Sequence, residues 1–234
     1  MRLDQALAAR NLAPSRRKAR ELIAAGAVLV NGRPVRVASR EVADNDHLRV
    51  VEGLPAIAVI ASTDEWIAVN KPAGLPTQPE RERTRISLEE ILRAQYQVIY
   101  LVHRLDTPTS GVVVFARTQK SAAHLSKLFA ERAIRKTYLA RIAPPIEREL
   151  TIDTPLDGKE AITIVRPRNA DLAEVEILTG RLHQIRRHLQ SIGHAVVGDR
   201  RYGGPPAARL MLHAWRLQHE FLGVLEADPP DELR

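Results

Sequence analysis

The chain has 234 residues, enough to bury a substantial core as one large domain or as a medium domain with a small partner. It carries 35 Lys and Arg against 28 Asp and Glu, and its net charge of +7 favours a polyanionic partner without proving one. It contains no cysteine, which excludes disulfides, thiolate catalysis and cysteine-based zinc sites.

The start of the chain and its hydropathy predict a cytoplasmic protein. The first residues lack the apolar stretch and the small-residue cleavage site of a secretory signal. No apolar run of the sequence approaches the roughly 18 residues that indicate a transmembrane helix. The lack of cysteine also fits a reducing compartment.

Residues 1–52 are predicted to form a small helical unit that ends in short strands. Ser15 can cap a second helix, and Gly26 stands where a left-handed stop belongs. The Asn31-Gly32 pair then predicts a tight hairpin. This segment holds ten basic against six acidic residues, a net of +4 by subtraction. Four of the cations share the second helix: Arg16, Arg17, Lys18 and Arg20. A nucleic-acid contact and an ordinary solvated helix face both fit this pattern.

Residues 53–234 contain many short predicted strands and few helices, which predicts an α+β domain with a mixed, largely antiparallel sheet. Residues 53–55 are a plausible linker before it, and residues 226–234 are expected to be a frayed tail. The segments of strand length are 56–61, 66–69, 98–102, 112–117, 137–142, 162–165 and 173–178. The predicted helices are 87–94, 120–132 and 184–192.

The most unusual stretch is residues 101–111, which place titratable and hydroxyl groups on a loop entering an apolar strand. His103 and Arg104 precede Asp106, and Thr109 and Ser110 follow it. A loop anchored by a buried strand holds such side chains rigidly over a cleft. The alternative is a turn in which Asp106 caps nearby amides and His103 is a packed histidine.

A second cluster runs from residue 180 to residue 204 and opens a helix near His183. Arg186 and Arg187 are neighbours on that helix and need not do the same job, because one can enter a cleft while the other reaches phosphate. A basic helix face followed by a glycine turn is the alternative. Tyr138, on a predicted strand, is more often core or surface than functional.

Several other kinds of site fail on spacing. The sequence has no Walker loop, no Gly-x-Gly-x-x-Gly motif and no His-Glu-x-x-His helix. His183 and His188 are five apart without a nearby acidic ligand, so a metal is not expected. Ser110 lacks a Gly-x-Ser-x-Gly setting, which makes a hydrolase the weakest of the alternatives.

Five motifs together resemble the RluA-type RNA pseudouridine synthases, in the family's order and over nearly the whole chain. They are residues 69–75, 103–111, 136–140, 180–186 and 212–214. Residues 1–52 resemble the alpha-L RNA-binding module of a small-subunit ribosomal protein, through their basic helix and Asn-Gly hairpin. The resemblance implies an RNA-modifying isomerase that needs no cofactor, and it favours ribosomal over transfer RNA as the partner of a monomer.

The resemblance also implies roles for individual residues. Asp106 is the expected nucleophile, Tyr138 stacks on an extruded uracil, and Arg186 pairs with Asp106. Substrate contacts are expected from Arg104, Leu212, His183 and Arg187, and RNA contacts from Arg16, Arg17, Lys18 and Arg20.

The chain departs from the family pattern at Thr107-Pro108, where charged residues are usual, and at residues 78–85. The tail after Leu217 is also short. The rival class is an RNA-binding or ribosome-assembly protein that keeps the fold without catalysis.

Overall fold

The computed structural model describes residues 1–24, 26–50, 56–80, 86–96 and 98–234. These residues form two compact units, one of Met1–Ala56 with Gln78–Ile99 and the other of Ile57–Thr77 with Tyr100–Arg234. The domain boundary and linker predicted at 52–55, like most of the departure at 78–85, lie outside the described residues. The boundary therefore stays a prediction, while residues 78–99 lie in the first unit.

The helices, in chain order, are α1 (Leu3–Ala9), α2 (Arg16–Ala24), α3 (Leu88–Gln95), α4 (Gln119–Ala130) and α5 (Gln184–Ser191). The strands are β1 (Val28–Val30), β2 (Arg33–Pro34), β3 (Leu48–Val50), β4 (Ala58–Ser62), β5 (Trp66–Lys71), β6 (Tyr100–Leu101), β7 (Ser110–Ala116), β8 (Arg135–Ala143), β9 (Leu150–Ile152), β10 (Thr163–Asn169), β11 (Leu172–Ile177), β12 (Ala195–Val196), β13 (Leu212–His219) and β14 (Gly223–Glu226). No helix among the described residues is long and apolar enough to cross a membrane.

The first unit packs α1 and α2 against a three-stranded antiparallel sheet of order β2-β1-β3. Ser15 Oγ accepts from the Lys18 amide at 3.2 Å, as expected of a helix cap. Asn31 and Gly32 both have positive φ, 53° and 76°, which is the conformation of a type I′ hairpin turn. Local turn chemistry therefore fixes this unit, and its helices bury one apolar face in a shared core.

The second unit is built on an 11-stranded sheet whose main path is β4-β5-β7-β13-β8-β11-β10-β9. Among the strands that the structure describes, β7 and β13 form the parallel pair and the other pairs are antiparallel. The predicted α+β class with a mixed, largely antiparallel sheet is therefore confirmed. Helix α5 packs against the sheet through Ile185 and Leu189, in a core shared with β8, β10 and β11.

One glycine sets how closely the two central strands approach. Gly111, in β7, has φ of 118°, and a Cβ there would collide with the carbonyl oxygen of Ala214 in β13. A side chain at position 111 would push these strands apart. Since the stretch 103–109 leads directly into β7, Gly111 also fixes where that loop meets the sheet.

The C-terminal end corrects one expectation from the sequence. Residues 226–234 were expected to fray, but Leu233 is fully buried and packs with Leu139, Leu172 and Met211. The side chain of Leu233 anchors this segment to the sheet. Exposing that side chain to water would lose the free energy gained by its burial.

Candidate active site

A cavity of about 310 Å³ opens in the second unit between the sheet and the start of α5. Six of the sequence-predicted residues line it: Arg104, Asp106, Tyr138, His183, Arg186 and Leu212. Arg187 does not line it. Side chains from four separate stretches of chain therefore converge on one place.

The Asp106 loop, residues 103–109, is held in place by two polar side chains, Thr77 and Lys71. Thr77 binds the middle of the loop. Thr77 Oγ1 donates to the Leu105 carbonyl at 2.8 Å and accepts from the Leu105 amide at 3.2 Å. The Thr109 amide donates to the backbone carbonyl of Asp106 at 3.0 Å. The predicted alternative had the carboxylate capping that amide. Here the backbone makes the turn, so the carboxylate is left for the cavity.

Lys71, at the end of β5, is the second support of the Asp106 loop. It is fully buried, and its ammonium donates to three carbonyls, those of Pro72 at 3.1 Å, Leu75 at 2.7 Å and Thr107 at 3.2 Å. Burial lowers the pKa of Lys71 to about 7, while the nearby Asp106 carboxylate opposes that change. Three carbonyl acceptors match the three N–H bonds of an ammonium, so the site is built to hold the charged form. The sequence assigned no role to this residue.

Arg186 is fixed by a carboxylate that the sequence did not single out. Its Nε and Nη2 donate to Asp199 at 2.7 and 2.8 Å, in a bidentate pair whose carboxylate is fully buried. Asp199 also accepts from the amides of Arg201 and Tyr202, both at 3.1 Å. Although burial opposes both charges, these contacts raise the pKa of Arg186 and lower that of Asp199. The pair therefore stays ionised at neutral pH.

The remaining nitrogen of Arg186 faces Asp106. Arg186 Nη1 lies 3.8 Å from Asp106 Oδ2, and His183 Nε2 lies 3.7 Å from the same oxygen. Both separations exceed hydrogen-bond length, so Arg186 binds Asp199 more closely than Asp106. The Asp106 side chain is 21% exposed. A partly exposed carboxylate with positive charge nearby and no hydrogen bond from the described side chains can approach a substrate atom.

His183, the residue immediately before α5, also lines the cavity. It has left-handed backbone geometry, with φ of 53°, and its Nδ1 lies 2.9 Å from the Tyr202 hydroxyl. Burial lowers the pKa of His183, although Asp106 opposes that change. The imidazole is therefore neutral at neutral pH and joined to a phenol. Tyr202 also lies under Arg186, whose Cζ is 4.9 Å from its ring centre.

Tyr138 and Leu212 form the wall on the sheet side. Tyr138 is half-buried on β8, and Leu212 is buried on the neighbouring β13, opposite Ala140 of β8. Burial, reinforced by the Asp106 charge, raises the pKa of the Tyr138 phenol. The ring is therefore neutral across physiological pH and offers an apolar face to a planar ligand.

Three further residues that the sequence singled out, Ser110, His103 and Arg187, do not line this cavity. Ser110 is buried, with its Oγ 2.9 Å from Nδ1 of His213. Because it does not line the cavity, the geometry gives no support to a hydrolase nucleophile at Ser110. His103 accepts the Val114 amide on Nε2 at 2.9 Å, as the packed-histidine alternative described. Arg187 pairs with the exposed carboxylate of Asp157 at 2.8 and 2.9 Å.

The four cations predicted to contact RNA lie on α2 of the first unit and all face carboxylates. Arg16 and Arg20 donate to the fully buried Asp4 at 3.2 and 2.9 Å, and Arg2 joins them at 3.3 Å. Although burial opposes it, hydrogen bonds from these arginines lower the pKa of Asp4. Three guanidiniums around one carboxylate leave a net charge of +2. Arg17 and Lys18 instead pair with Glu21, at 3.4 and 3.7 Å.

Comparisons with known proteins match two regions of the chain. Residues 65–191 match the family described as RNA pseudouridylate synthase, and residues 1–48 match the S4 domain. An uncharacterised RNA pseudouridine synthase of Helicobacter pylori (strain ATCC 700392 / 26695) is 34% identical over 225 residues, covering 87% of each chain. The dual-specificity RNA pseudouridine synthase RluA of Escherichia coli (strain K12) is 35% identical over 186 residues, covering 68% of this chain and 85% of that protein.

Solved structures show the same fold. Human RNA Pseudouridylate Synthase Domain Containing 1 has a TM-score of 0.64 and 24% sequence identity, covering 77% of this chain and 85% of that one. The fold and the two matched domains define an RNA-modifying isomerase with an added RNA-binding domain. The chain belongs to the RNA pseudouridylate synthase family. The predicted class of enzyme and RNA as its partner are thereby confirmed.

Proposed function

We propose that the protein converts specific uridines, in ribosomal RNA, to pseudouridine with the Asp106 carboxylate as nucleophile. The observation that carries this proposal is the setting of Asp106, which is partly exposed in the cavity with Arg186 and His183 at 3.8 and 3.7 Å. Among the described residues that line the cavity, Asp106 is the one with a carboxylate.

The chemistry requires a group that tolerates positive character at a sugar carbon. The bond from the anomeric carbon to the base nitrogen breaks, the uracil turns, and a bond from the same carbon to a ring carbon forms. The proton leaving that ring carbon is balanced by one gained at the freed nitrogen, so no atom is gained or lost. A carboxylate can stabilise or trap the electron-poor sugar, as in glycoside hydrolysis.

Arg186 serves this step as a positioning residue. With two nitrogens committed to Asp199, its guanidinium cannot rotate, and Nη1 stays directed at Asp106. At 3.8 Å this cation lies beside the carboxylate without forming a hydrogen bond to its oxygens. Preorganisation of this kind needs no rearrangement when charge develops.

The target uridine must leave its stack to reach the cavity, at a cost of a few kcal/mol. We assign the face of Tyr138 to stacking on the extruded base, a contact worth about 1–3 kcal/mol, and Leu212 to the apolar wall beside it. His183 would contact the substrate from the α5 side. Arg104 is exposed at the rim, and Arg187 can exchange its exposed carboxylate partner for a phosphate.

The S4 unit, by adding phosphate contacts of its own, favours a folded ribosomal RNA over transfer RNA. Such a substrate agrees with the cytoplasmic location and monomeric state predicted from the sequence. The rival proposal is a non-catalytic RNA-binding or ribosome-assembly protein, and Thr107-Pro108 is the feature that favours it.

The test is to map pseudouridine in ribosomal and transfer RNA isolated from cells that lack this protein. The RNA is incubated with the wild type, with Asp106→Asn, or with Asp153→Asn, an exposed carboxylate of the same unit that lies outside the cavity. We expect new sites in ribosomal RNA with the wild type and Asp153→Asn only. RNA binding by all three without any new site would support the non-catalytic protein instead.

A further inference from the structure

A second cavity adjoins the first across the Asp106 loop. Its volume is about 460 Å³, and it is lined by Gly74, Pro108 and the turn that carries Gly198. Asp106 lines the first cavity and Pro108 the second, while Arg186 lines both. A strand of substrate leaving the first cavity over the loop would therefore meet the second.

Three arginines line this second cavity besides Arg186: Arg200, Arg201 and Arg209. Its acidic residue, Asp199, is already held by Arg186. None of the three forms an ion pair with a carboxylate in the part of the chain that the structure describes. The cavity therefore carries a surplus of three positive charges, and we call it the arginine cavity.

Arg209 anchors the arginine cavity from the inside. It is half-buried, and it donates through Nη2 to Ser110 Oγ at 2.6 Å and through Nε to the Leu210 carbonyl at 3.2 Å. Its Nη1 has no hydrogen-bond partner among the described residues. Burial lowers the pKa of Arg209, and Glu232 offsets this only in part. A cation held in this way, with donors to spare, is suited to an anionic ligand.

Gly198 lets the turn before Arg200 and Arg201 pass close to the backbone of Arg209. Gly198 has φ of 80°, and a Cβ at that position would collide with the Arg209 carbonyl. The turn that leads to Arg200 and Arg201 can therefore pass directly over residue 209. Gly74, Ala207 and Ala208 add small residues to the lining.

We propose that the arginine cavity is a subsite for a backbone phosphodiester of the RNA strand, next to the nucleotide held in the first cavity. This inference rests on the proposed function. Positions 106 and 108 are at most about 7 Å apart, so a nucleotide in the first cavity and the phosphodiester beside it can reach the two cavities together. Arginine is suited to the ligand, because its planar fork matches two phosphate oxygens.

The test compares two double variants that each remove two positive charges. Arg200→Ala with Arg201→Ala empties the exposed part of the arginine cavity. Lys120→Ala with Arg148→Ala is the matched control, since both residues are exposed in the same unit and line neither cavity. The dissociation constant for a single-stranded oligouridylate is measured over a range of salt concentrations. Thermal unfolding of each variant verifies the fold.

We expect the cavity variant to bind more weakly and its salt dependence to flatten by about 0.7 for each phosphate that the variant no longer neutralises. Its KM for RNA should rise while kcat is unchanged, and the control should match the wild type. Equal salt slopes for the two double variants, or binding of inorganic phosphate that the oligouridylate does not compete away, would overturn the subsite. A wild type that forms no pseudouridine, together with a flattened slope, would overturn the proposed function and leave the subsite standing.

Discussion

Replacing Asp199 with asparagine tests whether the buried Arg186–Asp199 pair holds the active site in place. Asp199 Oδ1 accepts from Arg186 Nη2 and from the amides of Arg201 and Tyr202, while Oδ2 accepts from Arg186 Nε alone. An asparagine that keeps its oxygen at the Oδ1 position turns its amide nitrogen towards Nε, so donor meets donor. The variant loses one charge-assisted hydrogen bond, worth about 1.5–3 kcal/mol.

It also leaves a buried guanidinium without its anion, and breaking a buried pair costs about 3–5 kcal/mol. Because three of the four hydrogen bonds to Asp199 survive, we expect a loss near the lower end, about 3 kcal/mol in urea unfolding. The guanidinium, now held by one hydrogen bond in place of two, should turn towards Asp106, close the 3.8 Å gap and occupy its carboxylate. We therefore expect the single-turnover rate of pseudouridine formation to fall at least about tenfold, equivalent to 1.4 kcal/mol.

Asp157→Asn is the matched control, because Asp157 forms the same bidentate pair with the adjacent Arg187 but is 69% exposed. Its unfolding midpoint and its single-turnover rate should stay at the wild-type values. Asp199→Asn with wild-type stability and rate, or a control that loses as much, would refute the reasoning.

Three further changes have defined outcomes. His103→Gln keeps an acceptor for the Val114 amide without titrating. Because burial holds the pKa of His103 at about 3 against the usual 6.5, the wild type should lose stability relative to this variant as pH falls from 6.5 towards 3, and parallel urea midpoints would contradict this. Gly111→Ala should unfold or lose activity through its collision with Ala214, whereas Gly158→Ala, with φ of 69° in open space, should lose only about 1–2 kcal/mol; similar losses would refute the close approach. Asp4→Asn adds a positive charge to the first unit yet should weaken RNA binding, because Asp4 aligns Arg2, Arg16 and Arg20; tighter binding in a filter assay would show that bulk charge matters more.

The sequence predicted the strands with continuous apolar runs and the helices with clear caps. The predicted strands 112–117 and 137–142 overlap β7 and β8, and the predicted helix 120–132 overlaps α4. It missed β13, because Leu212–His219 alternates apolar residues with histidine, tryptophan and arginine. A strand of this composition becomes recognisable only when its neighbours satisfy a buried His213, whose Nδ1 faces Ser110 and whose Nε2 faces the Ala227 carbonyl at 3.0 Å.

The sequence predicted those residues of the candidate site that lie in recognisable motifs. Asp106, Tyr138, Arg186 and Leu212 were expected together, and they do line one cavity. Asp199 and Tyr202 lay in a cluster that the sequence marked as basic, but a motif does not tell which cation a carboxylate will bind. The charge pattern of α2 was likewise visible, while its pairing with Asp4 depends on how α1 packs against it. Partners brought together by tertiary packing are what the sequence could not supply.

The most direct test of the central claim is the single-turnover rate of pseudouridine formation by Asp106→Asn on a mapped substrate, with RNA binding measured on the same samples. The amide keeps the shape of the side chain but removes its nucleophilic charge. We predict wild-type RNA affinity and no detectable pseudouridine, with Asp153→Asn fully active. Pseudouridine formation by Asp106→Asn at a rate near that of the wild type would show that the reaction does not depend on this carboxylate.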